Sequence, residues 1–169
     1  MDQRHAHMLA RDVSKKIGKK SPVALHTPLL TGLQAGGRMD PIEAKMSKSK
    51  PDSMISIHDD SEIVKKKISK AFCPEKQVEG NPILEMCRYV IFPELKSGSF
   101  LIERPEKFGG NLEFPNYKEL EQAFVGGLHP LDLKNATASY INKILGPVHE
   151  YFEKHPENYS KMKKLEIIK

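Results

Sequence analysis

Only two cysteines, Cys73 and Cys87, occur in 169 residues. They form no CxxC or Cys/His spacing that would bind zinc, and one pair makes a poor disulfide framework. The chain must therefore fold on its apolar residues, and a reducing cytoplasm fits. No stretch approaches the roughly 20 apolar residues of a membrane span. The opening residues Met1, Asp2, Gln3 and Arg4 hold no apolar core of a secretory leader, so a soluble protein is expected. Internal repeats, low-complexity tracts and long runs of like charge are also missing. With 38% hydrophobic and 29% charged residues, the composition is that of a globular chain of one domain or one and a half.

Positive charge is in modest excess. Lys and Arg outnumber Asp and Glu by 27 to 22, and the excess gathers near residues 15–20, 45–50, 65–70 and 161–164. Two readings stand side by side: a set of solvated helix faces, or a surface for a polyanion. A net charge of +5 does not choose between them.

The periodicity changes along the chain. Ala6, Leu9, Ala10, Val13 and Ile17 recur at helical spacing and Gly18 follows as a stop. Residues 23–26, between Pro22 and Pro28, predict a short buried strand. Residues 27–51 hold Gly32, Gly36, Gly37 and three prolines with no sustained period, which predicts a long loop. Helices follow. Asp59, Asp60 and Ser61 offer caps for a stripe of Val64, Ile68, Ala71 and Phe72 ending by Pro74. Asn81 and Pro82 open a helix with Ile83, Met86, Cys87, Val90 and Ile91 on one face up to Pro93. Gly109, Gly110 and Asn111 between residues 100–102 and 112–114 suggest a hairpin. Asn116 caps a helix through Leu120 and Phe124. A last long helix starts near Pro130 and buries Leu133, Tyr140, Ile141, Ile144 and Val148, with a kink or break expected at Gly146 and Pro147. A boundary is expected near residue 60, with α/β structure before it and helices after it.

Within the glycine-rich loop stands Lys45-Met46-Ser47-Lys48-Ser49. This string is similar, letter for letter, to the second signature of class I aminoacyl-tRNA synthetases. When ATP loses pyrophosphate, negative charge builds on the departing phosphates, and lysine supplies a compact charge on a long stem to meet it. The plain alternative is an exposed loop that happens to be rich in lysine.

Further strings extend the likeness. Residues 1–11, Leu29-Leu30-Thr31-Gly32-Leu33, Lys65-Lys66-Lys67-Ile68 with Ala71-Phe72-Cys73, Arg104-Pro105-Glu106-Lys107-Phe108-Gly109-Gly110 and Leu128-His129-Pro130-Leu131-Asp132-Leu133-Lys134-Asn135 resemble tyrosyl-tRNA synthetases of the archaeal and eukaryotic type. The resemblance covers residue 1 to about 150. It implies an α/β remnant of a nucleotide-binding, Rossmann-like fold over residues 1–60 with the signature loop, and a helical anticodon-binding domain over 61–169. It also implies tyrosine–tRNA ligase chemistry, with ATP accompanied by Mg2+ as a substrate and no protein-bound metal. Tyrosine and its tRNA are the implied partners. The whole enzyme would be a homodimer, and a separate N-terminal half would complete a split one.

Position by position, the resemblance implies that Lys45, Ser47, Lys48 and Ser49 act in catalysis. Asp2 would hold a ribose, Gln3 would contact tyrosine, and Met46 would lie in the ATP site. A carboxylate suits two hydroxyl donors and an amide offers donor and acceptor together, although both residues equally suit the start of a helix. Phe108 and Asp132, with His129 beside them, match the positions that read the first anticodon base by stacking and by hydrogen bonding. Alternatively, Phe108 is a hairpin aromatic and Asp132 serves the positive end of a helix. Arg4, His5 and His7 take no role; His5 and His7 point apart on a helix and form no metal pair.

The sequence departs from the family in lacking the first, His-Ile-Gly-His type signature and the strands of the tyrosine pocket. The chain alone is expected not to activate tyrosine. A non-catalytic tRNA-binding module derived from a synthetase is the alternative. A different nucleotidyltransferase with a similar loop would lack the landmarks from Phe108 to Asn135.

Overall fold

Capping residues start most of the helices of this computed structural model, which describes residues 3–35, 46, 50–96 and 98–166. Helix α1 spans Arg4–Lys16, and Gly18 turns left-handed just beyond its end. After a short 3-10 turn, Pro51–Ser53, helix α2 spans Ser61–Lys70, and the Asp60 carboxylate accepts from the Ile63 N–H at 2.8 Å. Helix α3, Pro82–Met86, starts on Asn81 and Pro82 as expected. It runs into a π-helical turn, Cys87–Ile91, and then into α4, Phe92–Glu94. Pro93 has no N–H to return to the preceding turn, and the wider turn before it carries the chain past that gap. The rod therefore continues beyond the expected end.

Strands β1, Phe100–Ile102, and β2, Leu112–Phe114, form an antiparallel hairpin with Phe100 opposite Phe114. Period-two alternation buries Phe100 and Ile102 and turns Leu101 outward. Helix α5 covers Tyr117–Val125 from an Asn116 cap, α6 covers Pro130–Lys154, and α7 covers Pro156–Glu166. Tyr140 of α6 fastens the hairpin: its hydroxyl accepts from the Leu101 N–H at 3.0 Å and donates to the Ser99 carbonyl at 3.2 Å.

One core runs through the helical part, with Val64, Ile68, Ile83, Leu84, Ile91, Phe100, Phe124 and Leu133 essentially inaccessible. Leu33 joins it from before residue 60. Its N–H donates to Ser53 at 2.8 Å, its carbonyl accepts from Phe72 at 2.6 Å, and the neighbouring Thr31 donates through N–H and hydroxyl to both oxygens of Glu85 at 2.7 and 2.9 Å. The segment before the signature is thus sewn to α3.

Two expectations are corrected, and a third is not met among the described residues. Residues 23–26 form no strand: Val23 is 96% and Leu25 89% exposed. A strand exists only where a neighbour completes its hydrogen-bond ladder, and none pairs there among the described residues. The α/β character expected before residue 60 is accordingly not seen; the described residues there give α1, one 3-10 turn and irregular chain, and the fold is mostly helical with one two-stranded sheet. Helix α6 also does not break at Gly146 and Pro147. It ends at His155, and Pro156 opens a further helix. Pro147 is exposed, so the carbonyl it fails to bond can be met by water.

Candidate nucleic-acid interface

The turn between β1 and β2 is shaped by an arginine folded back into it. The Arg104 N–H donates to Asn111 Oδ1 at 3.0 Å, and its Nε donates to the Gly110 carbonyl at 3.0 Å. Gly109 and Gly110 both adopt positive φ, +95° and +70°, a region open to glycine at no steric cost. A Cβ on Gly109 would also stand 3.3 Å from the Arg104 guanidinium. From this turn Phe108 emerges 61% exposed, with Lys107 Nζ 4.9 Å from its ring centroid. An exposed ring flanked by an ammonium is suited to stacking on an unpaired base beside a phosphate.

The same arginine reaches the head of α6. Its Nη1 lies 3.9 Å from Asp132 Oδ2, and both side chains are mostly buried. His129 caps α6: its Nδ1 accepts from the Leu131 N–H at 3.2 Å, which leaves Nε2 to carry the ring proton. The structure thus joins Asp132 and His129 at one helix end, with Arg104 linking them to the turn that carries Phe108. Asp132 keeps a carboxylate oxygen for a donor, Phe108 offers a face, and His129 is exposed.

Arg104 is the residue that sequence reasoning missed. It opens the string from Arg104 to Gly110, but its partner Asp132 is distant in the chain, and only the fold brings the two together.

The activation residues fall differently. Asp2, Lys45, Ser47, Lys48 and Ser49 lie outside the described residues. Gln3 stands at the N-cap of α1, exposed, and its side chain makes no capping bond; only its carbonyl accepts, from His7 at 3.1 Å. Met46 is half-buried against the core, and its N–H donates to Leu30 at 3.1 Å.

The family described as tRNA synthetases class I (W and Y) matches residues 1–146, and the chain belongs to that family. Its relatives narrow the likeness to tyrosine. The chain is 50% identical over 167 residues to a tyrosine–tRNA ligase of Saccharolobus islandicus, covering 92% of this chain and 46% of the relative. With the Aeropyrum pernix tyrosine–tRNA ligase it shares 48% over 159 residues, 88% of this chain and 43% of that one. The crystal structure of tyrosyl-tRNA synthetase complexed with L-tyrosine from Pyrococcus horikoshii superposes with a TM-score of 0.86 at 43% identity, covering 97% of this chain and 49% of that chain. The chain therefore spans under half the length of these proteins.

Proposed function

We propose that this chain is the part of a tyrosine–tRNA ligase that supplies the signature loop and reads the tRNA anticodon. The observation that carries the reading is the junction at the head of α6, where Asp132, His129 and the Arg104-braced turn bearing Phe108 meet. In this reading residues 1–60 close a Rossmann-like catalytic domain and residues 61–169 form the anticodon-binding domain. The whole enzyme acts as a cytoplasmic homodimer that activates tyrosine and passes it to its tRNA. No described helix is long and apolar enough to cross a membrane.

ATP enters as a substrate with its own Mg2+. Lys45 and Lys48, with Ser47 and Ser49, would receive the departing pyrophosphate, while Met46, Asp2 and Gln3 would line the nucleotide and tyrosine side. Phe108 would stack on the first anticodon base, Asp132 would accept from its edge, and His129 would donate beside it.

Tyrosine-dependent exchange between ATP and pyrophosphate tests the reading. The chain alone should give none, and adding the separately expressed N-terminal half of an archaeal relative should restore it. In that mixture Lys48→Ala should slow activation on the order of a hundredfold, as for loss of one preorganised transition-state contact of about 3 kcal/mol. Exchange by the lone chain, or Lys48→Ala without effect, would count against it.

A further inference from the structure

Helices α2 and α6 lie side by side and antiparallel. Lys134 Nζ, early in α6, donates to the Ser69 carbonyl near the end of α2 at 3.0 Å, while Asn142 Nδ2, two turns later, donates to the Ser61 carbonyl at its start at 3.3 Å. Eight residues separate the two contacts on each helix, a rise of about 12 Å. Between them runs an open groove of about 920 Å³, lined among others by Lys65 and Lys66 from α2 and by Lys134, Asn135, Asn142 and Lys143 from α6.

Helical spacing aims these groups into one channel. Ser61, Lys65 and Ser69 recur every four residues on α2, and Asn135, Ser139 and Asn142 recur at four and three on α6. Glu62 is the acid among the described lining residues, and it is already bonded to Lys65 at 2.9 Å. Four lysines thus line the channel, Lys65 paired with Glu62 and Lys143 Nζ 4.9 Å from the Tyr140 ring centroid, and the remaining polar groups are amides and hydroxyls.

We infer that the α2/α6 groove is a track for the sugar–phosphate backbone of RNA, continuing along α6 from the base-reading end. The inference rests on the anticodon reading above for the identity of the RNA, and on the groove for its placement. Lysines supply the charge that displaces counterions from phosphates. Amides and hydroxyls bond phosphate and sugar oxygens without regard to sequence. An acidic protein would meet the same lysines, but the groove begins one turn beyond the end of α6 that holds Asp132 and His129, a setting suited to a base with its backbone following. Asp132 and His129 begin the helix whose next turns form the groove, so an RNA with a base at the head of α6 has its backbone directed along the lysines.

The test is binding of a tyrosine tRNA transcript to the 169-residue chain, followed by fluorescence anisotropy across a salt series. It compares the wild type, Lys65→Gln/Lys66→Gln/Lys143→Gln, and the equal-charge control Lys118→Gln/Lys154→Gln/Lys161→Gln. Lys134 is left intact in the first variant because its bond to Ser69 also braces the helices, and thermal melts check that each variant is folded. At roughly 0.7 to 0.9 units per phosphate contact, the groove variant should lose about 2 units from the slope of log affinity against log salt, and the control should lose almost none. The loss should be equal for a transcript changed at the first anticodon base. Equal slopes for groove and control variants would overturn the groove while leaving base discrimination, and with it the anticodon reading, standing. A slope loss in the groove variant without any base discrimination by the wild type would uphold the groove and sink the anticodon reading. Polyglutamate bound as tightly as tRNA at matched ionic strength would overturn the assignment to RNA, and absence of any RNA binding would end both.

Discussion

Cys87 is wholly enclosed, its sulfur 3.4 Å from the Thr137 hydroxyl, and burial pushes its thiol from an ordinary 9.0 up to about 12. Burial also raises Cys73, although the Asn81 amide offsets part of the shift. Desolvation likewise raises the Tyr117 phenol, helped by its bond to Glu121. All three favour the protonated form in the folded state. Their contribution is therefore intact below the unfolded-state values of 9.0 for the thiols and 10.0 for the phenol, and it is lost as pH climbs above them. Urea unfolding at pH 8 and at pH 10.5 should show stability falling with pH, at about 1.4 kcal/mol per pH unit for the enclosed Cys87 and less for the partly solvated Tyr117. Cys87→Ser should remove part of that slope. Native thiols should also resist iodoacetamide at pH 8, because the reactive thiolate is suppressed. Rapid labelling of Cys87 in the folded chain would contradict its burial.

At the scale of elements, Asn81 carries a junction. It is fully buried, its Oδ1 accepts from the Ile83 and Leu84 N–H groups at 3.1 and 3.3 Å, and its Nδ2 donates to the Gln77 carbonyl at 2.9 Å. Asn81→Ala removes the cap of α3 and strands buried polar groups, so it should cost about 2 to 3 kcal/mol, read as a lower urea midpoint at unchanged m-value. Asn81→Asp keeps the acceptor and should recover the cap bonds only.

This junction was legible in the sequence because Asn81 and Pro82 act on their immediate neighbours. The Asn116 start of α5 and the glycine-marked hairpin were legible for the same reason. Residues 23–26 were misread because β-branched composition cannot say whether a neighbouring strand is there. Of the kink or break expected at Pro147, the break is absent, because a long helix packed on α2 and on the hairpin outweighs the loss of one hydrogen bond. Position 155 ended the helix instead, where Pro156 follows. At the candidate interface, residue identities were visible at Phe108, His129 and Asp132, but the guanidinium that ties Asp132 to the hairpin turn depends on a long-range contact. The signature at 45–49 was plain as a string, and all of it but Met46 lies outside the described residues.

Across the whole molecule, the two ends of the described chain differ in how they are covered. The helical part encloses its core, whereas α1 buries nothing: Met8, Leu9, Val13 and Ile17 are 44 to 64% exposed, and Val23 and Leu25 stand out beside them. Such a face invites association. The lone chain should self-associate in sedimentation velocity at micromolar concentration, and Leu9→Lys/Ile17→Lys should return it to monomer without lowering its melting temperature. A wild-type chain monomeric throughout would show that the face is adequately solvated.

The head of α6 is proposed to read a base. A double-mutant cycle tests it most directly: binding of the wild-type chain and of Asp132→Ala, each to the tyrosine tRNA transcript and to a transcript changed at the first anticodon base. Asp132→Ala should weaken the native transcript by roughly 1 to 3 kcal/mol, as for one base-reading contact. It should hardly affect the changed transcript, leaving a coupling of that size. Equal losses on both transcripts, accompanied by a lower melting temperature, would contradict it and leave Asp132 as a structural partner of Arg104.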